Sequence, residues 1–334
     1  MAILGAKDQS SCLPRFIFQK SVTWACPVAM EAFVYVIGAG GSGAHVGHSQ
    51  DTTHNCNGGG AGGCAISRLS LVAQNYTVTI GSGGARTAGD NNGSAGSAGG
   101  DSVFSGSGID TMTGSGGNGG SYGSNASAVT GGSASGGNIS NNTGGGSPAA
   151  SAQYSVSGGG GVNFGAAASQ CDGDHQTNVE FTAGGSMRGV VGQGNSGSDY
   201  TAHMGKYFDG RNLQLGFDMF NIGMHHIIDG TQYYDAGSST SEDRTQGGCY
   251  TIKSGDRRRF TFYNSSGLVY VFPAGPFEGG NSHSMGWGSS TTSEASAGGV
   301  GGGGGASLNR SNGGTNYSGA GGSGLVMIFP ITMG

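Results

Sequence analysis

The densest apolar runs lie near the two ends of the chain and have the character of β-strands. Phe33–Ile37 is rich in aromatic and β-branched residues, and Leu69–Val72 follows it. Tyr76–Ile80 alternates apolar and polar positions, as a half-buried strand does. Leu325–Phe329 ends at Pro330, where we expect the strand to stop. Since a terminal strand needs partners, the first 80 residues and the last ten are predicted to form one sheet or sandwich.

Between these runs the chain is interrupted by glycine tracts. Glycine accounts for 75 of the 334 residues, and no helical period appears. Glycine can form an extended threefold helix that has no internal hydrogen bonds, so its backbone groups must pair laterally. Several tracts would suit a bundle of such helices, although each could instead be an exposed loop. The tracts are 58–63, 114–120, 158–161 and 298–306.

The run at 298–306 has the composition of a linker, yet only the closing strand follows it. We therefore expect it to return the chain across the body and to pair with the tracts at 58–63 and 158–161. The fold class predicted is all-β: a β-sandwich-like body with glycine-rich loops or polyglycine II-type helices, and a β-rich insert.

Residues 171–297 differ in composition from the rest. They hold 8 of the 14 Lys and Arg, 13 of the 19 Asp and Glu, and 16 of the 28 aromatic residues. This segment is predicted to be an insert in a glycine-rich frame that comprises 21–170 and 298–334. Its strand candidates are Val179–Thr182, Tyr250–Ile252, Arg259–Tyr263 and Leu268–Phe272, the last two as a hairpin.

Aromatic and histidine side chains beside Asn, Ser and Gly are typical of recognition surfaces, because rigid rings give contact area at low entropic cost. Such residues occur in the insert and in the segment 45–57, where we expect exposed loops. A sugar would suit the aromatic members, by stacking. The candidate receptor-binding residues are Tyr207, His225, His226, Tyr233, Tyr234, Trp287, His45, His48 and His54.

Two motifs have the form of catalytic or nucleotide-binding signatures without their context. Gly38–Gly43 fits G-x-G-x-x-G after a strand, but no helix pattern follows to receive a pyrophosphate. Gly119–Gly123 fits G-x-S-x-G in a tract with neither strand nor helix around it. Neither motif predicts an enzyme, and no cofactor is expected.

Metal sites are not favoured either. His45, His48, His54 and Cys56 have suitable side chains but match no standard ligand spacing. Asp172, Asp174 and Glu180 could hold calcium, but the segment lacks the glycine and bidentate glutamate of an EF-hand.

Charge, hydropathy and cysteine content indicate which partners, which site of synthesis and which thiol state to expect. The net charge of −5 and the absence of a basic patch argue against a nucleic-acid partner. The chain has no 18-residue apolar segment and no apolar core long enough for a signal peptide, so we expect synthesis in the cytosol. The six cysteines form no C-x-x-C; free buried thiols are expected, with a pairing of Cys56 and Cys64 left open.

Four segments, in order, resemble the glycine-rich domain of tailed-phage tail-fibre proteins. Residues 23–43 are similar to its Trp-Thr-x-x-Pro opening and first strand, and 69–84 to its Tyr-x-Val-x-Ile-Gly strand. Residues 99–106 and 319–330 resemble the Gly-Asp-Ser-x-Phe-Gly segment and the closing strand. The design, though not an alignable motif, is also similar to the adhesins at the tips of T-even-type long tail fibres.

The resemblance implies a virion protein, made in the host cytoplasm and exposed at a tail fibre or tail tip, that binds the host surface non-covalently. Its partners would be a surface glycan or outer-membrane protein, and other virion proteins through an N-terminal attachment segment, residues 1–20, with Phe16 and Phe18 as anchors. A homo-oligomer is left open. The alternatives are a capsid or tail decoration protein without a receptor and, less favoured, a tail-spike depolymerase.

Overall fold

The structure is a computed structural model. It describes residues 16–47, 55–89, 93–149, 155–165, 171–173, 175–177, 184–185, 200–201, 251–252, 262–263, 269–270, 274, 277–280, 282–285, 293–309 and 315–333. These residues form strands and extended tracts, and none of them is helical. Consequently no helix in this part of the chain could cross a membrane. The all-β prediction is confirmed.

Twenty-five strands occur in the described residues. In chain order they are β1 Phe16–Phe18, β2 Val22–Ala25, β3 Met30–Ile37, β4 His45–Val46, β5 Asn55–Cys56, β6 Cys64–Leu71, β7 Asn75–Thr79, β8 Ala88–Gly89, β9 Gly93–Ser94, β10 Ser102–Ser105, β11 Met112–Gly114, β12 Tyr122–Gly123, β13 Ala134–Ser135, β14 Ser140–Asn142, β15 Ser155–Ser157, β16 His175–Thr177, β17 Tyr200–Thr201, β18 Thr251–Ile252, β19 Phe262–Tyr263, β20 Val269–Tyr270, β21 His283–Met285, β22 Ser293–Glu294, β23 Ser307–Asn309, β24 Asn316–Tyr317 and β25 Leu325–Met333.

The first sheet joins the two ends of the chain. Its order is β1-β25-β3-β6-β14, and all its pairs are antiparallel. Val36 lies opposite both Val326 and Ala65, so the predicted pairing of early strands with the closing strand is confirmed. The expectation that Pro330 ends the last strand is wrong. A register shift between Pro330 and Thr332 accommodates the proline, which has no N–H to donate, and the strand continues.

A second sheet, β13-β11-β10-β7-β2, completes a sandwich with the first. In β7 the side chains of Tyr76 and Val78 are buried and their neighbours exposed, as the alternation predicted. The rings of Tyr76 and Phe104 stack with centroids 5.3 Å apart, and Trp24 lies 5.8 Å from Tyr76. These rings fill the core between the sheets together with Val34, Val36 and other residues of β3 and β25.

The glycine tracts are ordered and bond to one another laterally. In residues 38–44, every third N–H donates to the same neighbouring tract, so the N–H groups of this tract bond to three neighbours. The bonds are Gly38 to Gly63, Gly41 to Gly60 and Ala44 to Asn57; Ala39 to Gly100 and Ser42 to Ser97; and Gly40 to Gly322 and Gly43 to Gly319, all between 2.8 and 3.0 Å.

The tract at 57–63 repeats this period of three with other neighbours. Its N–H groups donate in turn to the tracts at 301–304, 115–118 and 145, and the first two neighbours recur after three residues. The bonds are Gly59 to Gly304 and Gly62 to Gly301, Gly60 to Asn118 and Gly63 to Ser115, and Ala61 to Gly145. A period of three is the period of a polyglycine II helix, so the tracts form a lattice of such helices.

The run at 298–306 lies inside this lattice. Gly303 donates to Gly160, and Gly304 both donates to Gly41 and accepts from Gly59. The predicted pairing with the tracts at 58–63 and 158–161 is therefore confirmed, and the run is not a linker.

The predicted insert contributes to the lattice as well. Gly280 donates to Gly303 and Gly185 donates to Gly159, although both donors lie within 171–297. The predicted hairpin is present as β19 and β20, with Phe262 opposite Tyr270. The strand candidate Val179–Thr182 lies outside the described residues.

We expect Gly304→Ala to unfold or strongly destabilise the protein, because a Cβ at Gly304 would overlap the backbone carbonyl of Gly319. The loss of unfolding free energy should exceed about 3 kcal/mol, the upper end for overpacking. Gly100→Ala is the matched control. Its Cβ would meet nothing closer than 3.2 Å, and the alanine restricts the unfolded chain, so its change should stay within about 1 kcal/mol. Thermal melts of both variants measure the difference, and equal midpoints would contradict a packed lattice.

Candidate recognition edge

One end of the lattice is bounded by the sandwich and the other by short strands, which we name the distal edge. The tract at 38–44 leads from β3 to β4, and the tract at 57–63 leads back from β5 to β6. The strands at the distal edge pair with one another where the tracts end, and three of these pairs are parallel. They are β4, β5, β8, β9, β12, β15, β22, β23 and β24.

The short strands at this edge come directly before or after the glycine tracts. β4 follows the tract at 38–44 and β23 follows the run at 298–306, whereas β5 and β15 come directly before the tracts at 57–63 and 158–161. β4 pairs with β23 and β5 pairs with β15, both in parallel. The lattice therefore holds the ends of several strands side by side at one end while its backbone is bonded in place.

His45 does not lie in an exposed loop, so that expectation is wrong. It belongs to β4, which pairs with β23 on one side and β9 on the other, and its side chain is only 2% exposed. The ring Nδ1 lies 2.8 Å from Oγ1 of Thr87. Because β4 is paired on both sides and the His45 side chain is buried, the ring is not accessible to a receptor in this conformation.

The other predicted receptor-binding residues cannot be placed. His48 and His54, together with the insert residues Tyr207, His225, His226, Tyr233, Tyr234 and Trp287, lie outside the described residues.

Phe16 and Phe18 lie on β1, at the margin of the first sheet. Their ring centroids are 4.9 and 5.8 Å from that of Trp24, and both side chains pack against the core of the sandwich. Ile17 between them faces outward and is exposed. The segment 16–18 is thus part of the body sheet, and its use as a virion anchor stays a prediction.

Small polar side chains fill the space beneath the distal edge. Asn55 Oδ1 accepts the N–H of Ser155 at 2.9 Å, and the hydroxyls of Ser293 and Ser307 are 2.8 Å apart. Asn316 donates from Nδ2 to the carbonyl of Val46 at 2.8 Å. All these side chains are buried. Short side chains of this kind satisfy backbone groups where the tracts diverge, and they hold the edge strands in register.

A turn at residues 121–127, the tip loop, lies at this edge, where β12 pairs with β5. Asn57 donates from Nδ2 to the carbonyl of Ser127 at 2.7 Å, and Asn55 donates to that of Ser124 at 2.8 Å. Ser121 Oγ donates to the same Ser127 carbonyl at 2.6 Å. Gly123 has φ +139°, which favours glycine at this position. Two buried amides thus fix a surface turn whose Tyr122 side chain is exposed.

A second exposed cluster lies on the same edge. The Arg86 guanidinium stands 4.5 Å from the ring centroid of Tyr317 and pairs with Glu294 at 2.8 Å. Its side chain is about half exposed, so the ion pair adds little to stability. The cluster places an arginine, an acid and an aromatic ring together at the surface.

The sequence analysis did not identify Tyr122, Arg86 or Tyr317. Each stands in glycine- and serine-rich surroundings, where no apolar pattern marks it. A signal for the tip loop does exist. Asn55 and Asn57 have one residue between them just before a tract, which places two amides on one side of an extended segment.

Three of the described cysteines are reduced. Cys26, Cys56 and Cys64 are free thiols and are buried, so the pairing of Cys56 with Cys64 that the sequence left open is not formed. Burial raises the pKa of the thiols of Cys56 and Cys64 well above the ordinary value. Neither is a thiolate nucleophile at neutral pH.

The G-x-G-x-x-G and G-x-S-x-G motifs are parts of the lattice and its edge, and their polar groups are hydrogen-bonded within the protein. All six N–H groups of 38–43 donate to other tracts, which leaves none for a phosphate. Ser121 of the G-x-S-x-G motif is held by Ser127. In the part of the chain that the structure describes, no three His, Cys, Asp or Glu side chains cluster as metal ligands would. Asp172 accepts the N–H of Gly146 at 2.5 Å, while Asp174 and Glu180 lie outside that part.

A family model described as a glycine-rich domain matches residues 18–329. The match spans most of the chain, so the protein belongs to this glycine-rich domain family. No curated protein matches the sequence significantly.

We expect Asn57→Asp to lower the unfolding free energy by about 2–3 kcal/mol or more, because a buried carboxylate cannot donate to the tip-loop carbonyls that it would face. Asn125→Asp, on the exposed side of the same loop, is the matched control and should be nearly neutral. Chemical denaturation measures both variants. A neutral Asn57→Asp would show that the amide does not hold the loop.

Proposed function

We propose that this glycine-rich domain protein is a phage virion structural protein, an adhesin of a tail fibre or tail tip that recognises the host cell surface non-covalently. The observation that carries the proposal is the arrangement of the distal edge. A backbone-bonded lattice carries short strands and the exposed Tyr122 at one end, and the sandwich that contains β1 and β25 bounds the other end.

This arrangement suits a receptor-binding role. The lattice bonds are made by backbone groups, so side chains outside the tracts can vary without disturbing it. A rigid platform also reduces the conformational entropy lost when its surface groups bind. The exposed Tyr122 and the Arg86–Tyr317 cluster lie on this edge and give it aromatic and hydrogen-bonding chemistry.

We assign a different partner to the distal edge and to the sandwich end of the protein. The distal edge and the aromatic-rich insert would contact a host glycan or outer-membrane protein, with several fibres adding avidity. Residues 1–20, of which Phe16–Phe18 form β1 of the sandwich, would contact other virion proteins. The protein would be made in the host cytoplasm and displayed on the virion.

Removal of residues 205–245 tests the role of the insert. β17 and β18 pair antiparallel, with Tyr200 opposite Ile252, so a Gly-Ser-Gly linker can close the gap. We expect the labelled full-length protein to bind some strains of a bacterial panel saturably in flow cytometry. The deletion should weaken this binding at least about tenfold, or about 1.4 kcal/mol, with the thermal midpoint retained.

Ile139→Ser, an exposed position beside β14 of the sandwich, is the control and should bind normally. Equal binding by the deletion would contradict the role given to the insert. Binding to no strain would contradict an adhesin and favour a decoration protein. Reducing sugars released from bound cells would identify a depolymerase instead.

A further inference from the structure

Tyr122 is the exposed aromatic residue of the tip loop. Its side chain is 44% exposed. One side of the ring lies against the backbone of Gly93 in β9, so closely that a Cβ on Gly93 would overlap it. The ring is therefore supported on one side and partly open to solvent.

The loop that carries this ring is fixed before any ligand arrives. The buried amides of Asn55 and Asn57 hold the carbonyls of Ser124 and Ser127, and β12 itself pairs with β5. An aromatic ring on a fixed backbone loses little entropy when it binds a partner. The ring is therefore preorganised for contact with a ligand.

The side chains of the loop that carries the ring are polar but uncharged. Ser124 and Asn125 beside it are exposed and offer a hydroxyl and an amide. The sequence has no Lys, Arg, His, Asp or Glu from Thr111 to Gln170. An aromatic surface with a few neutral hydrogen-bonding groups matches a ligand that has an apolar face and a rim of hydroxyls.

From these observations we infer that the tip loop is a subsite for a neutral sugar ring of a bacterial surface polysaccharide. Tyr122 stacks against the C–H face of the sugar, and the side chains of Ser124 and Asn125 bind its hydroxyls. The inference rests on the proposed adhesin function and specifies the chemistry of its receptor.

The test uses the full-length protein and two variants at the same position. Tyr122→Phe keeps the ring, and its binding to the panel strains should stay within about threefold of the original. Tyr122→Ser removes the ring, and its binding should fall at least about tenfold, the effect of about 1.4 kcal/mol. Val72→Ser, which changes an exposed residue of the sandwich, is the control for surface substitution and should bind normally.

Treatment of the cells identifies the class of receptor. Mild periodate, which cleaves sugar diols, should abolish binding, whereas proteinase K should leave it intact. Equal binding by Tyr122→Ser and the original protein overturns the subsite while the adhesin function stands. Loss of binding after proteinase K but not after periodate shows a protein receptor and also overturns it. Binding to no strain overturns the adhesin function itself, and the subsite with it.

Discussion

Lateral hydrogen bonds between glycine tracts are the interaction on which the rest of this structure depends. An isolated threefold glycine helix leaves all its N–H and C=O groups unpaired, and glycine loses more backbone freedom on folding than any other residue. Each lateral bond contributes only about 0.5–1.5 kcal/mol net, so many are needed together. The bonds require close backbone approach, which is why a Cβ at Gly302 or Gly304 would overlap a neighbouring carbonyl.

The sandwich and the lattice support each other through shared chain segments. β3 leads directly into the tract at 38–44, and the tract at 319–324 leads directly into β25, so the register of the sheet also sets the register of the lattice. At Gly301, with φ +71°, the chain turns against Ile37 and Val162, where the apolar core meets the glycine layer. The distal edge receives its order from the lattice, and its small buried serines and asparagines complete the bonding that the glycines leave there.

Much of this fold could be predicted from the sequence, because local patterns determine it. The apolar runs at Phe33–Ile37 and Leu325–Phe329 marked the central strands, and the repeated tracts marked the lattice. The extension of β25 past Pro330 could not be predicted, since it depends on a bulge that only the partner strand permits. The burial of His45 was missed because it depends on β9 and β23, which are distant in sequence. Tyr122 was missed because exposed residues in a glycine-rich context carry no periodic signal.

Amide hydrogen exchange, measured peptide by peptide, tests the central claim that the glycine tracts are an ordered, laterally bonded lattice. The account predicts that the tracts at 38–44, 57–63 and 303–306 exchange as slowly as β3 and β25, because their N–H groups are bonded to other segments of the lattice. Exchange in these tracts at the rate of an unstructured glycine linker, with β3 and β25 still protected, would contradict it.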